Sequence, residues 1–151
     1  MTLQITKHSE TFSSSPQISP DDIKEIKSLG FRAIINARPD QEGGNNQPTN
    51  EDIKAAAEKA GLMYIHTPVA PSNIGTDDIK ACAQFLNSAP TPILGFCKTG
   101  MRANNLYQSA QKLNAGHSMA SQSWLSQKVS YFFKNKCLLT KLYRKLHKSN
   151  A

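Results

Sequence analysis

Hydrophobic and polar positions along the chain follow a repeating plan. Ile23, Ile26 and Leu29 recur at helical spacing. They follow Ser19-Pro20-Asp21-Asp22, where a capping hydroxyl, a first-turn proline and two acids mark a helix start, and Gly30 marks the stop. Residues 31–36 then form an apolar run of buried-strand type. The same signals recur twice. Thr49 or Asn50 caps a second helix, with Ile53, Ala56, Ala57 and Ala60 facing inward and Gly61 ending it, and residues 62–66 read as a strand. Thr76-Asp77-Asp78 opens a third helix whose apolar face, Ile79, Cys82, Ala83, Phe85 and Leu86, places Cys82 in the core. Ala89-Pro90-Thr91-Pro92 breaks that helix before another apolar run. Residues 1–18 are polar and hydroxyl-rich, with extended pieces at 3–6 and 11–14 that suit an edge hairpin. The alternation predicts an α/β domain: a parallel-core sheet with right-handed crossovers, flanked by helices on both faces.

The run at 93–96 leads into the stretch with the most chemistry, Cys97-Lys98-Thr99-Gly100-Met101-Arg102. Residues 103–113 read as a helix. A strand, a tight loop and a helix N-terminus therefore meet at one thiol. Backbone N–H groups converge there, and the helix dipole adds partial positive charge. Such a nest binds an anion and favours thiolate over thiol. Arg102 can grip an oxyanion with two parallel bonds, and Gly100 permits a backbone angle that a side chain obstructs. Lys98, Thr99, Gly100 and Met101 line the cradle in this reading. A lone cysteine at a strand end is more often a small buried hydrophobe; the ordered set of strand, Cys, Gly, Arg and helix favours a reactive site.

Two other loops leave strands at the same sheet edge, where open parallel sheets bind ligands. Arg38 and Asp40 sit directly after the first core strand and are candidate site residues, whereas 43–47 reads as a solvated turn. His66 ends the second core strand and reads as a structural histidine.

Composition narrows the classes. The chain has 151 residues, 38% of them hydrophobic and 19% charged, enough for one domain with a real core. Three cysteines without CxxC or metal-ligand spacing argue against a disulfide framework or a metal site, and suit a reducing cytoplasmic compartment. No cofactor motif is present, and residues 1–5 do not read as a signal peptide. Charge is uneven: all 11 acidic residues precede position 103, while residues 103–151 hold 8 of the 18 Lys and Arg. Beyond a polar stretch at 114–123, Leu125, Val129, Phe132, Leu139, Tyr143 and Leu146 fit one helical face among lysines. The organisation expected is a domain at 1–114 and a basic amphipathic helical extension at 115–151. The extension either docks on the domain or meets a polyanion, foremost an anionic membrane surface through 124–148, which would place the protein peripherally at the inner membrane. Specific nucleic-acid binding is not expected from basicity alone. Oligomeric state is not encoded.

Three ordered motifs carry a resemblance: Ser15-Pro16-Gln17-Ile18-Ser19-Pro20, then residues 30–40 through Asn36-Ala37-Arg38-Pro39-Asp40, then Phe96-Cys97 to Arg102. Over residues 3–112 the chain resembles the bacterial phosphatase-like family, a domain also found fused to beta-lactamase-like hydrolases and similar in architecture to dual-specificity tyrosine phosphatases. The resemblance implies a phosphocysteine mechanism, with Cys97 as nucleophile and Arg102 on the phosphoryl oxygens. Four residues separate Cys97 from Arg102, where tyrosine phosphatases have five. Ala70, Pro71 and Ser72 stand where such enzymes carry an acid, and Ala103 where they often carry Ser or Thr. Asp40 from the neighbouring loop is the substitute proton donor in this reading. Three functions stay open: a phosphatase acting on a phosphomonoester, a rhodanese-like sulfurtransferase carrying a persulfide on Cys97, and a non-catalytic module binding anions or phosphopeptides. The substrate or ligand expected is a phosphorylated or sulfur-bearing anion.

Overall fold

The computed structural model describes residues 3–70 and 72–116. Five strands, β1 (Thr6–Lys7), β2 (Phe12–Ser15), β3 (Ala33–Asn36), β4 (Met63–His66) and β5 (Ile93–Phe96), form one sheet in the order β1-β2-β5-β3-β4. β2, β5, β3 and β4 run parallel, and β1 pairs antiparallel with β2. The expected hairpin is therefore present, but its second strand lies inside the sheet, paired with β5. Register matters for function: Phe96 pairs with both Ser15 and Asn36, and Asn36 with His66. Four parallel strands thus end together, and the loops that follow them share one edge.

Alternation along the strands divides the core between the two faces. Ala33, Ile35 and Ile93 pack with Cys82, Ala83 and Phe85 of α3 (Thr76–Ser88) and with Ala103, Leu106, Tyr107 and Ala110 of α4 (residues 101–116). Ile34, Leu94 and Phe96 pack with Ile23 and Ile26 of α1 (Asp22–Ser28) and with Ile53 and Ala57 of α2 (Asn50–Lys59). The α/β architecture with helices on both faces is as the pattern predicts, and Cys82 is fully buried in the core.

Two local expectations are corrected. Leu29 is 54% exposed, because α1 closes at Ser28 and Gly30 takes a φ of +92°. The stripe therefore ends at Ile26. Ser19 does not cap α1 with its hydroxyl. Instead Asp22 Oδ2 reaches back and accepts from both Ser19 N (2.7 Å) and Ser19 Oγ (2.8 Å). Thr49 does cap α2, accepting from Asp52 N.

The junction of β5 and α4 depends on close approach at Gly95. A Cβ there would lie 2.8 Å from Phe12 Cζ and 3.1 Å from the Ala103 Cβ. Phe12 in turn stacks on Tyr107 of α4 at 3.7 Å. The missing side chain lets the first turn of α4 settle against the strand that carries Cys97. Among the described residues, no helix is long and apolar enough to cross a membrane. The basic pattern expected at 124–148 lies outside the described residues, as does the extension beyond Gly116.

Gly95→Ala should therefore lower unfolding stability by about 1–3 kcal/mol through overpacking, measured by urea denaturation; an unchanged midpoint would mean that the contact yields without cost.

Candidate active site

β5 stops at Phe96 because the next residues turn. Gly100 takes a φ of +91°, and a Cβ there would meet Ser14 Oγ and Ser15 O at 3.1 Å. The turn folds the loop back over Cys97, whose thiol is fully buried. Gly100 N donates to Cys97 Sγ at 3.1 Å. Burial pushes this thiol up, but N–H groups of Ala103, Thr99, Arg102 and Gly100 point at the sulfur and together hold it below its ordinary value. Cys82 shows what burial does unopposed: with no such donors its thiol is pushed up to about 12. Two cysteines of equal burial thus have opposite character, and the difference is the amide ring.

Arg102 stands in the first turn of α4. Nη1 donates to Val69 O at 2.8 Å and Nη2 to Glu42 Oε2 at 2.7 Å. Two fixed bonds aim the guanidinium, which also interacts with the Cys97 sulfur. Glu42 first, and then the thiolate, raise the guanidinium's affinity for its proton. Glu42 was not marked by the sequence. Its Oε2 also accepts from Arg38 Nε at 2.8 Å. The bond from Arg102 is the largest influence on its carboxyl, and with Arg38 it outweighs burial and holds the group below the usual carboxylate range.

Arg38 is itself buried and donates through Nη1 to Gln17 Oε1 at 2.7 Å. Its backbone is pinned as well, with its N–H on Asn36 Oδ1 and its carbonyl accepting from His66 Nε2. His66 is thus a structural histidine, as expected. Asn36 Nδ2 donates to Tyr64 OH, and Tyr64 OH to Asn50 Oδ1. Burial, with the nearby Asp40 charge, pushes the Tyr64 phenol up to about 12 against the bond from Asn36. The loop after β3 is therefore anchored at its root.

A cleft of about 460 Å³ opens at the loop after β5, lined by Glu42, Lys98, Thr99, Met101, Arg102 and Asn105; Cys97 itself is not among the lining residues. The structure brings together Cys97, Lys98, Thr99, Gly100, Met101 and Arg102 as the sequence placed them. Of the sequence candidates, Lys98, Thr99, Met101 and Arg102 line the cleft, and Cys97, Gly100, Arg38 and Asp40 do not. Arg38 lies behind Glu42, and Asp40 Oδ1 accepts from Asn50 N at 2.7 Å, which engages that carboxylate at the start of α2. Helical spacing from Arg102 would have found Asn105. Nothing local would have found Glu42, whose partner Arg102 is 60 residues away. Among the described residues, no group of three or more His, Cys, Asp or Glu side chains is placed to hold a metal ion.

The five-stranded sheet flanked by helices is a fold shared with protein tyrosine phosphatase-like structures. The solved structure of Tk-PTP shares this fold, at a TM-score of 0.52 and 12% identity over 76% of this chain and 97% of that one. The chain belongs to the family of the phosphatase-like domain of beta-lactamase hydrolase-like protein, whose family model matches residues 4–114. A beta-lactamase hydrolase-like protein of Agrobacterium fabrum is 38% identical over 69% of this chain but 23% of its own length. The chain thus spans about a quarter of that relative. A candidate phosphatase of known structure from Neisseria meningitidis is 36% identical, covering 68% of this chain and 72% of that one, with a TM-score of 0.61.

Iodoacetamide at neutral pH should label Cys97 well before Cys82 in the folded protein, followed by peptide mass spectrometry. A lowered thiol carries more thiolate at neutral pH, and a raised one almost none. Equal labelling rates would remove the amide ring as the source of Cys97's character.

Proposed function

We propose that this domain is a cysteine-dependent phosphatase acting on a phosphomonoester. The observation that carries the reading is the Cys97 thiol, facing four loop and helix amides beside a fixed Arg102, in the loop whose neighbouring residues line the cleft. In the first step Cys97 Sγ attacks phosphorus and the ester P–O bond breaks. The leaving oxygen takes that electron pair, and a phosphocysteine results. In the second step water attacks the same phosphorus, the P–S bond breaks and the thiolate returns. The amides and the unengaged hydrogens of Arg102 offset charge on the three non-bridging oxygens throughout. Lys98 at the rim adds positive charge where a dianion enters.

Protonation of the leaving oxygen distinguishes substrates. Glu42 is the one carboxylate that lines the cleft among the described residues, and two guanidinium groups hold it ionised. Asp40 is engaged at α2. The site therefore favours esters whose leaving group departs as a stable anion, such as aryl phosphates. The same scarcity of acid, with the short loop, supports a second reading as a sulfurtransferase. In it the Cys97 thiolate attacks the outer sulfur of a sulfane donor such as thiosulfate, whose S–S bond breaks as sulfite leaves; a nucleophile such as cyanide then attacks the outer sulfur of the persulfide, and the S–S bond breaks to return the thiolate. What the longer relatives do as whole proteins does not bear on this choice.

Hydrolysis of an aryl phosphate and transfer of sulfur from thiosulfate to cyanide should be assayed side by side. Hydrolysis should fall by roughly 10³-fold or more in Cys97→Ser and by roughly 10²-fold in Arg102→Lys, because a point charge does not reproduce the planar fork. Thiosulfate turnover that depends on Cys97, with no hydrolysis, would establish the second reading instead. Aryl and alkyl phosphates give a separate test of Asp40. Asp40→Asn should leave their ratio of kcat/KM unchanged; selective loss on the alkyl ester would restore Asp40 as proton donor.

A further inference from the structure

Arg38 and Arg102 donate to the same oxygen, Glu42 Oε2, at 2.8 and 2.7 Å. Two cations therefore share one carboxylate, and the three side chains together carry one excess positive charge. Their arrangement is unequal. Arg38 is 7% exposed, and its other side-chain hydrogen bond goes to the neutral Gln17 amide. A buried guanidinium with one carboxylate partner holds that partner strongly, since removing it strands a charge. Arg38 and Glu42 also belong to one loop, four residues apart, and its root is pinned through Asn36, Asn50 and His66. Glu42 is thus bound to the Arg38 side locally, and Arg102 reaches it from α4. If Arg38 were neutral, Glu42 would compensate Arg102 alone, and the cleft would lose most of its attraction for an anion.

We propose that Arg38 is a positioning residue that acts on a bound oxyanion through Glu42: it takes up part of the Glu42 carboxylate, and so leaves Arg102 aimed by that carboxylate but not neutralised by it. This rests on the reading of the cleft as an oxyanion site, and holds for phosphoryl or sulfur transfer alike. It assigns Arg38 a role other than direct substrate contact, which its place behind Glu42 does not support.

The test uses the full chain and inorganic phosphate as probe. The quantity read is the phosphate concentration that halves the rate of Cys97 alkylation by iodoacetamide. Arg38→Gln should raise that concentration by roughly tenfold, and Arg38→Lys, which keeps the charge beside Glu42, by much less. Glu42→Gln should protect at least as tightly as wild type. The double variant Arg38→Gln/Glu42→Gln should return to within about threefold of wild type. A double variant no better than Arg38→Gln would mean that Arg38 either meets the anion itself or only braces the loop, and overturns the proposal. So would equal protection in wild type and Arg38→Gln, or no phosphate protection at all. If circular dichroism shows Arg38→Gln unfolded, Glu42→Gln decides: weaker protection than wild type overturns the proposal. Loss of aryl phosphate hydrolysis with this protection pattern intact would remove the phosphatase reading and leave Arg38 in its role.

Discussion

Burying a thiol while favouring its charged form is the constraint on which this molecule turns. Desolvation opposes the thiolate, and a core cysteine such as Cys82 yields to it. Cys97 escapes because N–H groups of Thr99, Gly100, Arg102 and Ala103 face it. Backbone donors need no side-chain reordering, so the nest is ready before an anion arrives. It exists only if the chain turns sharply at Gly100 and starts a helix at once, and if that helix lies against β5. Gly95, Phe12 and Ala103 meet that last demand by packing, far from any chemistry.

The charges around the Cys97 loop form a second tier. Arg102 is fixed by Val69 O from the loop after β4 and by Glu42 from the loop after β3. Both loops reach it because β3, β4 and β5 end in register. A slip of one strand would move one of these partners away and turn its core residues to the other face. Topology thus supplies what the motif alone does not: the orientation of its arginine. Two arginines meet one carboxylate there, so neither guanidinium is left without a carboxylate partner.

Much of this was legible in the chain. Caps, glycine stops and apolar runs are local signals, and they located α1, α2, α3 and the core strands. Cys97 to Arg102 is also local, so its loop and helix start could be read directly. What was not legible depended on geometry across the sheet. Leu29 fits a helical stripe by spacing, but α1 ends before the stripe can use it. Arg38 and Asp40 follow a strand at the correct edge, and proximity in sequence made both candidates; the fold turns one behind Glu42 and gives the other to α2. Glu42 sat in a stretch rich in Gly and Asn that resembles any solvated turn. Only its pairing with a residue on a distant helix reveals it.

In the phosphatase proposed above, Cys97 itself accepts the phosphoryl group. Rapid acid quench during turnover of an aryl phosphate, followed by mass spectrometry of the peptide containing Cys97, tests this directly. The account predicts a phosphoryl adduct on Cys97 that appears within the first turnover and is absent from Cys97→Ser. Steady hydrolysis with Cys97 unmodified at every quench time, or an adduct found only as an added sulfur after thiosulfate, would contradict it.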